Sequence, residues 1–325
     1  MCFKATPATV YRKCGHKSEG VDNLPFKNPP EECLSIGPSQ GLAYALNKDI
    51  VLKLPFQYEV TQDTEMSHCW DLSIGSFVAM EKEVAVYEAL KAEPHPNFAG
   101  MLATNKTDYL FLERLEPLQD AWEGASREER HRWVLELLAA VSCLEKLDFV
   151  SGDLAVRNIG VDGAKRLKLF DFGSAISQSH WDYANEIPRD RFNLSTCLHF
   201  LLSGVDPLAN LHSRAEAVKI RGMMEAGQWE ISEDASILAD MIQDGWTGKV
   251  ESTTFSELLD EAARILNVKS EGPACDVAGS YYEELEGRCQ EWLRSAQRDP
   301  LWKTPDEYVL SCREVGHEAD LDTWR

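Results

Sequence analysis

The chain has 325 residues, 44% of them hydrophobic, and a formal charge of −21 at pH 7 with a pI near 4.8. That length and apolar content allow a sizeable core, in one large domain or two lobes. The acidic balance argues against wholesale binding to a nucleic-acid backbone or an anionic membrane; in its plainest sense it keeps the chain soluble. Nine cysteines (Cys2, Cys14, Cys33, Cys69, Cys143, Cys197, Cys275, Cys289 and Cys312) are scattered, odd in number and free of any C-x-x-C pair. They fit a reducing compartment better than a disulfide framework. Cys2, Cys14 and His16 are candidate zinc ligands, but their spacing is wrong for a paired-ligand site. The first residues lack a signal-type apolar segment and no apolar run is long enough to span a bilayer. The expectation is a cytoplasmic or nuclear protein.

Residues 1–34 are polar and interrupted by Pro25, Pro29 and Pro30, and read as an N-terminal extension or linker. "GLAYALNKDIVLKL" gives two β-type runs around Asn47-Lys48-Asp49, a hairpin. Residues 54–75 are irregular in pattern. In "SFVAMEKEVAVYEALKAE", Phe77, Met80, Val84, Tyr87 and Leu90 recur at helical spacing, and "HPNFAGML" ends that helix. "DYLFLERL" reads as a strand. Ser126 and Glu129 form a capping box ahead of "RWVLELLAAVSCLEKL", whose Trp133, Leu137, Val141 and Leu144 share one face. A loop, a hairpin around Asp162-Gly163 and the strand "LKLFDF" follow. Beyond Asp190 the pattern is mostly helical, in "RFNLSTCLHFLLSG", "SRAEAVKIRGMMEAG", "ASILADMIQDGW" and "TFSELLDEAARIL". A polar gap at 268–277 precedes a last helix, "SYYEELEGRCQEWLRSA". Strands first and helices second predict an α+β chain in two lobes.

The stretch "SGDLAVRNIGVDGAKRLKLFDFGSA" places Asp153, Asn158 and Asp171 around one hairpin. Two carboxylates and an amide are hard oxygen donors, which suit Mg²⁺ bound together with substrate phosphates. With these elements in this order, residues from about 35 to 268 resemble the protein-kinase superfamily. Lys53 in "IVLKL" matches the family's phosphate-binding lysine, and Glu83 on the next helix matches its ion-pair partner. "YLFLERLEP" is similar to the last small-lobe strand and hinge, with Leu112 at the gatekeeper position and Glu113 and Leu115 in the hinge. Asp153 and Asn158 keep the catalytic-loop spacing, Asp171-Phe172-Gly173 matches the metal-binding triplet, and Asp190 resembles the buried aspartate that braces the loop. The resemblance implies a strand-rich small lobe at 35–117, a helical large lobe at 118–268, and a C-terminal helical extension at 269–325. It implies a site for ATP and Mg²⁺: Lys53 on the phosphates, Glu83 orienting Lys53, Asn158 and Asp171 on the metal, Asp153 taking or orienting the acceptor proton.

Departures from the family are equally visible. Ser151-Gly152-Asp153 replaces His-Arg-Asp, which removes the usual partner of a phosphorylated activation loop. Arg157 resembles the arginine of the tyrosine-kinase loop; it suits a phosphate or acceptor group, and equally a salt bridge to a nearby acid. Gly37 and Gly41 stand in for a phosphate-covering loop without its spacing, and a plain turn explains them as well. Only 16 residues, 174–189, separate Gly173 from Asp190, too few for the usual activation loop and peptide-docking segment, and no Ala-Pro-Glu triplet is present. These features predict an atypical ATP- and Mg²⁺-dependent phosphotransferase, without an activation-loop switch, acting on an acceptor that is a small molecule or a protein. The alternatives are a pseudokinase that binds nucleotide or a partner, or a kinase-fold enzyme turned to AMP transfer, glutamylation or a tRNA-dependent reaction. The acidic charge weighs against tRNA; a basic face containing Arg127, Arg130, His131 and Arg132 would reopen that reading.

Overall fold

The hairpin expected around Asn47-Lys48-Asp49 is present. Leu42–Ala45 pairs antiparallel with Ile50–Leu54, with Leu42 opposite Leu54 and Ala45 opposite Val51. The structure is a computed structural model that describes residues 23–35, 40–209, 213–249, 253–268 and 279–323. Cys2, Cys14, His16, Gly37 and the gap 269–277 lie outside the described residues. The chain is mixed α+β and divides into two compact units, one within Met1–Glu88, Gly100–Arg114 and Asp276–Arg325, the other within Ala89–Ala99 and Leu115–Cys275. Among the described residues, no helix is long and apolar enough to cross a membrane.

The first unit holds a five-stranded antiparallel sheet in the order Glu32–Cys33, Leu42–Ala45, Ile50–Leu54, Leu110–Glu113, Met101–Thr104. Leu42, Tyr44, Ile50, Leu52, Leu54 and Phe111 are buried in one cluster with Trp70, Ile74 and Phe77 of the helix Ser67–Ala92. That helix starts nine residues before its expected position, because tertiary partners use its polar first turns. Ser73 Oγ accepts the Tyr58 amide proton at 2.9 Å, and Ser76 Oγ accepts that of Phe56 at 3.2 Å. Both serines are buried, so each closes a backbone donor that has no ladder partner.

Residues 23–35 and the C-terminal helices pack on this core. Phe26 is buried against Trp292 and Tyr109, and Lys27 donates its N–H to the Gln297 carbonyl at 3.0 Å. The helices Gly279–Ser295 and Pro305–Glu314 insert Leu285, Cys289, Tyr308, Val309 and Cys312 into the same core. Tyr308 Oη donates to the Tyr58 carbonyl at 2.8 Å. The sequence shows an amphipathic helix there, but not which surface receives its apolar face.

In the second unit, the helix Arg127–Lys146 begins at Ser126 with the expected capping box and packs on Phe255–Leu266 and Tyr183–Ser203. A three-stranded sheet (Glu116–Pro117, Ile159–Val161, Leu167–Leu169) and a two-stranded one (Phe149–Val150 with Ile176–Ser177) flank the loop 151–158. The helix Tyr183–Ser203 starts eight residues earlier than its apolar pattern indicates and carries Pro188 within it.

Leu285 is fully buried and Leu310, on the neighbouring helix, is exposed. Leu285→Ala is expected to lower unfolding stability by about 2–5 kcal/mol, and Leu310→Ala by no more than about 0.5 kcal/mol. Denaturant unfolding of both variants measures this. Equal, small effects would mean that the C-terminal helices are not part of the first unit's core.

Candidate functional site

The loop between Phe149–Val150 and Ile159–Val161 is fixed by one buried acid. Asp190, 1% exposed on the helix Tyr183–Ser203, accepts the amide protons of Ser151 at 2.6 Å and Gly152 at 3.1 Å. Burial pushes its carboxyl up to about 7, against the pull of those two donors. Gly152 has φ +71°, and a Cβ there would lie 2.2 Å from the Ser174 carbonyl oxygen. Only glycine fits both the left-handed backbone and the close approach. The glycine of the degenerate triplet therefore has a steric cause in this chain.

Beyond that turn the loop gathers three of the expected residues. Arg157 Nη2 donates to both Asp153 carboxylate oxygens, at 2.6 and 2.7 Å. Buried Asn158 donates from Nδ2 to the Asp153 carbonyl at 2.7 Å and to its Oδ2 at 3.1 Å. Of the two roles open to Arg157, the salt bridge is the one present, and its partner is Asp153. Phe170 donates its N–H to the Asn158 carbonyl at 3.1 Å, so the hairpin brings Asp171 up beside Asn158. Asp171 has φ +67°, a conformation that costs most L-residues about 1–2 kcal/mol and aspartate less. Phe172 is fully buried beside Phe98 and anchors the turn. Leu115 packs on Gly160, where a Cβ would lie 2.6 Å from the Leu115 Cβ.

In the first unit, Lys53 and Glu83 form an ion pair. Glu83 is 2% exposed, so the pair is largely withdrawn from water. Gly41 has φ +139° and faces the Leu54 carbonyl, which gives it a role in the sheet. Glu113, expected in a hinge, is the last residue of its strand. Its carboxylate accepts the Gly100 amide at 2.6 Å and the Tyr282 hydroxyl at 3.2 Å. Tyr282 was not legible as a site neighbour, because it lies 169 positions beyond Glu113.

No protein-family model matches the chain, and no curated protein matches it. The donor chemistry is thus the guide to a metal. Among the described residues, no group of three or more His, Cys, Asp or Glu side chains could hold an ion. Asp171 and the Asn158 amide oxygen are two hard donors, the protein share expected for a Mg²⁺ that also binds phosphates.

Two outcomes follow from the brace. Gly152→Ala is expected to destabilise the protein by about 2 kcal/mol or more, since neither backbone nor carbonyl can yield cheaply; thermal unfolding tests it. The folded chain holds the Asp190 proton up to about pH 7, whereas the unfolded chain releases it near pH 4. The native state thus binds the extra proton in that window, and Asp190 weakens folding progressively as pH rises through it. Asp190→Asn removes this slope. Glu136, also pushed up to about 7 by burial, slopes both proteins alike, so the difference profile isolates Asp190. Parallel stability profiles from pH 4 to 7 would refute the assignment.

Proposed function

We propose that the protein is an atypical phosphotransferase of the two-lobed protein-kinase fold, transferring a phosphoryl group from ATP with Mg²⁺ to an acceptor. The observation that carries this is the loop of the second unit, where Asp153, Asn158 and the approach to Asp171 are held together by hydrogen bonds on a buried brace. Support from the first unit is the buried Lys53–Glu83 pair. Buried ion pairs are weak stabilisers, so a chain that keeps one commonly uses it for something else. Asp171 and Asn158 would hold Mg²⁺, which neutralises phosphate charge when bound. Asp153 would orient the acceptor hydroxyl and take its proton, with Arg157 hydrogen-bonded to its carboxylate. Lys53 would meet the phosphates, with Glu83 holding its ammonium in place.

A second function, nucleotide binding without transfer, is favoured by one feature. Arg157 Nη2, bonded to both oxygens, neutralises the carboxylate that would act as base.

Substitutions separate the two. Lys53→Met would strand buried Glu83 and unsettle the fold, so Asp171→Asn, which tolerates the same backbone, is the cleaner probe of binding. ATP with Mg²⁺ is expected to raise the melting temperature of the wild type, and Asp171→Asn to weaken that shift. Asp153→Asn is expected to leave the shift intact while lowering transfer to an acceptor about a hundredfold or more. No shift with ATP and either Mg²⁺ or Mn²⁺ would exclude the nucleotide site. Undiminished transfer by Asp153→Asn would remove Asp153 from the chemistry.

A further inference from the structure

Trp181 is 84% exposed, and among the described residues no other tryptophan is exposed. Tryptophan is normally well buried, so a fully presented indole needs a reason. The backbone holding it is tied down. Ile176 and Ser177 pair with Val150 and Phe149, and Gln178 donates its N–H to the Asp148 carbonyl at 2.8 Å. Asp182 donates its N–H to His180 Nδ1 at 3.1 Å, and the His180 ring stacks on Trp181 with centroids 5.4 Å apart and planes 29° apart. One face of the indole is backed by His180 and the other is open.

The surroundings are acidic. Asp148 is exposed, and among the described residues its carboxylate has no ion pair or hydrogen bond. Tyr183 lies close enough to Asp148 and Glu145 for their charges to push its phenol up, in addition to burial. Asp182 and Glu186 follow in the chain, and the cation there, Arg189, is already paired with both. An electron-rich indole face, on a segment whose backbone is tied to that of Asp148, and the exposed Asp148 carboxylate attract cations by two independent terms.

We infer that Trp181 and Asp148 form a docking surface for an arginine- or lysine-rich segment of a partner protein. The surface is open rather than caged, so a small free cation would gain little there, whereas a basic peptide, with several cations along its length, can engage the indole and the carboxylate together. A single-stranded nucleic acid also stacks on tryptophan, but its phosphates would meet the four carboxylates. A second copy of the chain, itself at −21, is repelled as a whole. The inference does not rest on the ATP site and is tested without nucleotide.

The probe is a short peptide of alternating Arg and Gly, with a Glu-Gly peptide for comparison, titrated calorimetrically onto the full chain at physiological ionic strength. The wild type is expected to bind the Arg-Gly peptide and not the Glu-Gly one. Trp181→Ala, at an exposed position that folding does not need, should weaken binding about tenfold or more. Asp148→Asn should weaken it several-fold; asparagine keeps the backbone at φ +61°. Glu283→Gln, an exposed carboxylate of the first unit, should leave affinity unchanged. Absence of wild-type binding overturns the inference, as does wild-type affinity in Trp181→Ala. Equal weakening by Asp148→Asn and Glu283→Gln also overturns it, since the peptide would then read only net charge.

Discussion

The arrangement of the loop 151–158 depends on one buried carboxylate. Asp190 offers two acceptor oxygens to two consecutive backbone amides, those of Ser151 and Gly152. Two N–H groups turned to the same side require a sharp local turn, and Gly152 supplies it with a left-handed backbone against the Ser174 carbonyl. The turn then sets the direction of everything downstream: Asp153, the Arg157 that grips it, and Asn158, which closes back on Asp153. Burying the acid is costly, and burial raises its proton affinity against those same donors. The site loop is therefore held by a group whose charge state is itself under tension.

The second constraint is charge placement. Lys53 and Glu83 are paired where water barely reaches, while Arg157 and Asp153 are paired at the surface. The first pair loses much hydration, a cost that its mutual contact offsets in part. The second is screened and weakly held, so an anion could draw Arg157 away.

Much of this was legible in the residues. The hairpin at 47–49, the capping box at Ser126 and Glu129, and the hairpin at Asp162 each rest on local chemistry between near neighbours, and each is present. The spacing of Asp153 and Asn158 likewise placed both in one short loop, because so few residues between two strands leave no other path. Helix starts at Ser67 and Tyr183 were not legible, since their first turns are polar, and that at Ser67 gains its partners from elsewhere in the chain. Ser73, for instance, serves the Tyr58 amide and the Tyr308 hydroxyl.

By itself the sequence determined the element types, the α+β order and the candidate donors, because periodicity, caps and turns act over a few residues. Tertiary structure alone decided that Arg157 pairs with Asp153, that Tyr282 holds Glu113, and that Phe26 and the C-terminal helices complete the first core. Those contacts depend on which apolar faces and buried polar groups find one another across long stretches of chain, and no local pattern encodes that choice.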